Sequence, residues 1–170
     1  YKKEKGRNFE EANLSIKDNS YLEGYWQSER YFKDIEQLIR REFRVKSRPE
    51  GKNLTLDKRI SESESISLHI RRGNYVTDEK TNKFHGTCSF EYYYNCLELL
   101  KRRISNPHVF LFSDDPEWVN DKIKLPYQTT VVDHNDVHKD FEDLRLMSQC
   151  KYHIIANSTF SWWGAWLSEY

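Results

Sequence analysis

The chain is poor in the residues that mark special classes of protein. It has three cysteines, one methionine, four prolines and six glycines in 170 residues. Cys88, Cys96 and Cys150 lack metal-ligand spacing, and so odd and sparse a set favours free thiols in a reducing compartment. No apolar run approaches the roughly 20 residues that span a bilayer, and no signal peptide stands at the start. No sign of charge prevails. Lys plus Arg and Asp plus Glu number 27 each, which argues against a nucleic-acid partner. No GxGxxG fingerprint follows a strand pattern, which disfavours a nucleotide-dependent oxidoreductase. There is no DxD triplet, so no metal is expected. The chain opens on Tyr1 rather than Met and closes inside a helical pattern. It is therefore expected to be a piece of a longer protein, and missing targeting signals carry little weight.

What is present suits a folded domain: 32% charged and 37% apolar residues, enough chain for one domain or one and a piece. Tyr1 to Arg7 holds four basic residues and one acid, best read as solvated surface. Tyr21 to Trp26 mixes aromatics with Gly24, a strand or turn. Ser28 is placed to cap a helix whose Tyr31, Phe32, Ile35, Leu38, Ile39 and Phe43 share a face. Pro49 and Gly51 close that stretch, so residues 1–50 read as the tail of an earlier domain or a connecting element.

Residues 51–170 read as α/β. Ile66, Leu68 and Ile70 alternate with Ser67 and His69, a strand signal. Phe90 to Ile104 is helical, with Tyr93, Cys96, Leu97, Leu100 and Ile104 on one face. Val109 to Phe112 and Thr129 to Val132 are short strands. Pro116 suits the first turn of a helix after Asp114 and Asp115. Asp140 is expected to cap a helix, with Asp143 completing a capping-box variant and Phe141, Leu144 and Met147 on the buried face. Tyr152 to Ala156 is a fourth strand, and Phe160 onward a last helix. Four strands separated by helices imply a Rossmann-like parallel sheet with flanking helices.

In such sheets ligands bind beyond the carboxyl ends of the strands, and the unusual polar clusters fall there. The first strand ends in Arg71-Arg72-Gly73-Asn74, the second in Ser113-Asp114-Asp115, the fourth in Asn157-Ser158-Thr159. Paired guanidinium forks suit a diphosphate, although one arginine pairing with Asp114 for structural reasons is the blander alternative. Asp114 and Asp115 could supply a general base, or merely cap a helix. Asp143 could cap, or could accept two hydrogen bonds from a guanine edge. The Ser158-Thr159 turn ahead of a helix offers N–H groups to an anion. Trp162, Trp163 and Trp166 read mainly as packing. A lone His69 is more often structural, and His85, His108, His134, His138 and His153 form no constellation.

Four blocks together resemble the bacterial α-1,2-fucosyltransferases: YLEGYWQSERYF (Tyr21 to Phe32), HIRRGNYV (His69 to Val76), FSDDPEWV (Phe112 to Val119), and EDLRLMSQCKYHIIANSTFSWWGAWL (Glu142 to Leu167). The likeness covers about residues 20–170. It implies the nucleotide-binding half of a GT-B glycosyltransferase, truncated at its C-terminus, with residues 1–50 the tail of an acceptor-side domain. It implies inverting transfer of L-fucose from GDP-β-L-fucose to a galactose-terminated glycan, with no metal or other cofactor. The catalytic candidates are Arg71, for the leaving diphosphate, and Asp114. His69, Arg71, Arg72, Asn74, Asp143, Ser158, Thr159, Phe160 and Ser161 would contact GDP-fucose. Asn74 stands where the family usually has Asp, which removes it as a base. The other reading kept open is a GDP-sugar-binding module without turnover. A cytoplasmic bacterial setting follows from the resemblance, with peripheral membrane attachment left open.

Overall fold

The chain divides after Arg44 into two units, residues 1–44 and 45–170. The structure, a computed structural model, describes residues 1–6 and 8–170. Arg7, the last of the basic residues expected to be solvated, lies outside them.

The first unit pairs β1 (Lys2–Lys3) with β2 (Leu22–Glu23) in parallel. Gly24 follows at φ 154°, and a Cβ there would press on Glu4. The continuous helix expected after Ser28 is broken into two 3-10 turns, Glu29–Tyr31 and Lys33–Ile35, and a short α1, Glu36–Glu42. Ser28 caps the first turn, its Oγ accepting the Arg30 N–H at 3.4 Å. The apolar face is not buried: Ile35 is 47% exposed and Phe43 46%. A seven-residue helix without packing has little to hold it.

In the second unit, Gly51 does not close a segment. It opens α2 (Gly51–Ser61) at φ 54°. Only Asn53, Leu56 and Ile60 are buried there, a stripe too thin to stand out as periodicity. Then come β3 (Glu64–Ile70), α3 (Gly73–Thr77), α4 (Glu79–His85), α5 (Phe90–Lys101), β4 (Pro107–Ser113), α6 (Pro116–Lys122), β5 (Gln128–Val132), α7 (Asp140–Gln149), β6 (Tyr152–Ile154) and α8 (Thr159–Trp166).

The four strands form one parallel sheet in the order β5-β4-β3-β6. That is the Rossmann-like order, with the first strand of the unit central and the fourth on its other side. Alternation sorts the core into two layers. Ile66, Leu68, Ile70, Val109 and Leu111 pack with Tyr93, Leu97 and Ile104. Phe110, Phe112 and Val132 pack with Leu56, Ile60, Leu146, Met147 and Cys150. Each large apolar side chain so buried contributes about 1.5–3 kcal/mol. The α7–α8 contact is close at Gly164, where a Cβ would lie 2.9 Å from the Met147 Cβ.

Two expectations about α7 fail. Asp140 lies inside the first turn, and Lys139, which makes no side-chain capping bond, holds the cap position. Phe141 is 41% exposed. Met147 is buried as expected and Leu144 partly so, and the buried face also carries Glu142, Arg145 and Leu146. Arg145 Nη1 lies 3.3 Å from Glu142, and its Nη2 donates to Ser47 Oγ at 3.2 Å. The buried Glu142–Arg145 pair widens the buried face beyond the apolar pattern, which periodicity of apolar residues alone does not register. The three cysteines are free thiols. Among the described residues, no helix is long and apolar enough to cross a membrane.

Candidate functional site

In a parallel sheet the reversal of strand order leaves a crevice, here between the carboxyl ends of β3 and β6. The residues after those two strands are Arg71 to Asn74 and Asn157 to Thr159, so two of the three polar clusters flank the crevice. The third follows β4, hydrogen-bonded alongside β3.

Arg71 is held by two neighbours. Its Nη1 pairs with Asp114 Oδ2 at 2.9 Å, and its Nη2 donates to Asn74 Oδ1 at 2.7 Å. The guanidinium also lies 5.2 Å from the Tyr75 ring centre. It stays about one-third exposed, so a ligand can reach it. Asp114 has both oxygens engaged, the second accepting the Arg72 N–H at 2.8 Å. A Cβ at Gly73 would collide with the Asp114 carboxylate and displace it from its present position. Arg72 is turned away from this pair. Its Nε donates to Asp115 at 3.1 Å, and its guanidinium covers the Trp118 ring at 3.5 Å. Asp115 also caps α6, accepting the Trp118 N–H at 3.2 Å.

The turn into α8 is the complementary element. Ser158 stands at the cap position with no side-chain capping bond. The helical ladder starts with Trp162 N–H to Ser158 C=O at 3.0 Å, so the N–H groups ahead of Trp162 have no acceptor within the helix. Thr159 is exposed at its first position. Ser161 is buried, and its hydroxyl donates back to the Ser158 carbonyl at 3.2 Å. Its side chain therefore braces the turn. Phe160 is half-buried against the α7 layer and lies 5.9 Å from the His69 ring. Asn157 ties the turn to α4 by donating to the carbonyls of His85 at 2.8 Å and Gly86 at 3.2 Å. Trp162 and Trp166 stack, Trp163 meets both edge-on, and all three are only half-buried.

His69 points away from Ile70, beside Phe112. It is 5% exposed, and its Nδ1 has no hydrogen-bond partner. Burial pushes its pKa down to about 4, so the ring is neutral near pH 7. A buried ring nitrogen without a partner is a place where a ligand could supply one.

Asp143, in the first turn of α7, has its pKa raised to about 6, first by burial. Its Oδ1 accepts the Asn135 Nδ2–H at 2.7 Å. Sequence reasoning missed what stands behind it. Asn135 and Asn53 exchange amide hydrogen bonds at 2.9 and 3.1 Å, and His134 Nε2 lies 2.8 Å from Asn53 Oδ1. Asn53 and Asn135 are far apart in sequence, and isolated asparagines carry no local signal. Among the described residues, no three His, Cys, Asp or Glu side chains gather as a metal would need.

By fold this unit is a Rossmann-like α/β layer with charged and hydroxyl side chains at its switch point. The chain belongs to glycosyl transferase family 11, whose model matches residues 1–169. It is similar to an α-1,2-colitosyltransferase of Escherichia coli, 40% identical over 169 residues, covering 93% of this chain and 54% of the relative. It is also similar to the Escherichia coli O-antigen biosynthesis glycosyltransferase WbnK, 39% identical over 62% of this chain and 35% of the relative. A more distant likeness is to human galactoside alpha-(1,2)-fucosyltransferase 1, 23% identical over 86% of this chain and 42% of the relative. The chain thus spans about half the length, or less, of these relatives. No solved structure matches it significantly.

Proposed function

We propose that this chain is the donor-binding part of an inverting α-1,2-fucosyltransferase that takes L-fucose from GDP-β-L-fucose to a galactose hydroxyl of a glycan. The observation that carries the reading is that Arg71 follows β3 and the uncapped α8 turn follows its neighbour β6, on the two sides of the crevice. In the transfer, the bond from fucose C1 to the diphosphate oxygen breaks. The acceptor hydroxyl oxygen bonds to C1 from the opposite face and loses its proton. Negative charge grows on the departing diphosphate. Arg71 and the N–H groups of Ser158 and Thr159 are the donors suited to it, each worth about 3 kcal/mol when well placed. His69 contributes its unpartnered Nδ1, and Asp143 the acceptor for guanine.

Asp114 we assign to orienting Arg71, because both its oxygens are taken by Arg71 and Arg72. Asn74 serves the same end. Arg72 and Ser161 support the site's backbone rather than touch the donor. GDP-fucose and a galactose-terminated glycan, in a bacterial cytoplasm with or without peripheral membrane attachment, are the expected partners and setting. The likeness to a colitosyltransferase favours a second reading, in which the sugar moved is colitosyl. Calorimetry with GDP, followed by transfer assays with fucosyl and colitosyl donors, separates these. GDP binding with fucosyl turnover supports the proposal. Colitosyl turnover alone moves it to the second reading, GDP binding with neither points to a binding module, and no GDP binding refutes it.

A further inference from the structure

We propose that Asn135, clamped by Asn53, is a specificity-positioning residue that aims the Asp143 carboxylate at the amino-bearing edge of the donor's purine. This rests on the nucleotide reading above. Asn135 lies in the loop after β5, Asn53 in the first turn of α2 and Asp143 in the first turn of α7. Three elements therefore meet at one amide.

The amide has only one consistent orientation. Asp143 Oδ1 is an acceptor, so the group facing it at 2.7 Å must be the Asn135 Nδ2. Asn135 Oδ1 then faces Asn53, which donates to it at 2.9 Å. Asn53 Oδ1 in turn accepts from Asn135 Nδ2 at 3.1 Å and meets His134 Nε2 at 2.8 Å. Each member fixes the next, and the carboxylate inherits the order. A carboxylate holds about four acceptor positions, and Asn135 takes one of them. That leaves acceptor capacity for adjacent amino and imino donors, the pattern guanine carries on one edge. An adenine edge offers no such pair, and hypoxanthine lacks the amino group.

Among the described residues, no cation acts on Asp143. Burial is the main force on it, with Asp140 and Glu142 on its own helix opposing its charge and Asn135 alone favouring it. Around His134 stand Lys52, Asp133, Glu142 and Lys139, and burial holds its pKa below the usual value. An uncharged amide therefore does what a salt bridge does elsewhere, without competing for the base.

The test is calorimetric binding of GDP and of inosine diphosphate to the wild-type chain, Asn135→Ala and Asn53→Ala, from pH 5 to 8, with circular dichroism to confirm folding. The wild-type chain is expected to prefer GDP. Asn135→Ala is expected to shrink that preference at least about fivefold, in line with loss of a hydrogen bond to a charged group. The pH at which GDP binding weakens is expected to rise, because the lost bond was the one favouring ionised Asp143. Asn53→Ala should shift both in the same direction by less, and it decides the matter if Asn135→Ala does not fold. Equal weakening of both nucleotides with an unmoved pH profile would assign Asn135 a merely structural part and overturn the inference alone. A wild-type chain that binds neither nucleotide would overturn the functional reading and this inference together.

Discussion

At the β3 end of the carboxyl edge, Arg71 meets Asp114 at 2.9 Å and remains about one-third open to solvent. At the β5 end, Asp143 is largely buried and meets an amide rather than a cation. The first cluster balances charge with charge. The second leaves a carboxylate poised near pH 6. Under the proposed donor reading, the difference would match the two halves of a nucleotide. A diphosphate needs a fixed positive partner, whereas a base needs an acceptor of defined direction.

The widest gap between the clusters should open on deleting the cation. Arg71→Ala is expected to lower transfer at least about a hundredfold, as loss of one well-placed donor to a developing anion does. Its thermal midpoint should barely move, because partly exposed ion pairs contribute about 0–1 kcal/mol. Near-normal turnover in an assay with GDP-fucose would sink the role given to Arg71.

A second substitution sharpens what the Arg71 partner does. Asp114→Asn keeps the shape but weakens the hold on Arg71, and turnover should fall about tenfold with the pH–rate profile unmoved. A loss beyond a thousandfold, with the basic limb of that profile abolished, would make Asp114 the proton acceptor instead.

The smallest effect concerns stability. His69 and His153 both have pKa values lowered to about 4 by burial, so the stability they confer is full above pH 6.5 and lost as pH falls toward 4. Asp143 is shifted the other way. Its folded pKa of about 6 favours the protonated acid, so its contribution is present below about pH 3.8 and lost as pH rises through 6. The two histidines should outweigh it, and thermal midpoints should decline between pH 6.5 and 4. Asp143→Asn should be more stable at pH 7 and decline more steeply in acid, while binding GDP more weakly. A lower midpoint at pH 7 would contradict the burial cost assigned to that carboxylate.

The sheet was legible because its strands alternate or run apolar between polar turns, as Ile66, Leu68 and Ile70 do. Arg71, Asp114 and the Ser158–Thr159 turn were legible because they sit just after strands, where topology makes polar clusters conspicuous. Three helices were not. α2 hides its thin apolar stripe behind Gly51, while α3 and α4 are five and seven residues long and bury nothing. The roles of the two arginines looked interchangeable in sequence. The structure separates them: Arg71 pairs with Asp114, while Arg72 pairs with Asp115 and covers the Trp118 ring. Asn53 and Asn135 escaped notice, and His134 was set aside, because their meaning lies wholly in a long-range contact. In the first unit, apolar spacing from Tyr31 to Phe43 suggested one helix, and without burial the chain broke it into short turns.

The most direct test is a crystal structure of the chain with GDP. The diphosphate is expected within hydrogen-bond distance of the Arg71 guanidinium and the Ser158 and Thr159 N–H groups, with the guanine edge against Asp143. A GDP bound elsewhere, or bound at this edge with Arg71 still closed on Asp114 and making no contact to phosphate, would contradict the account.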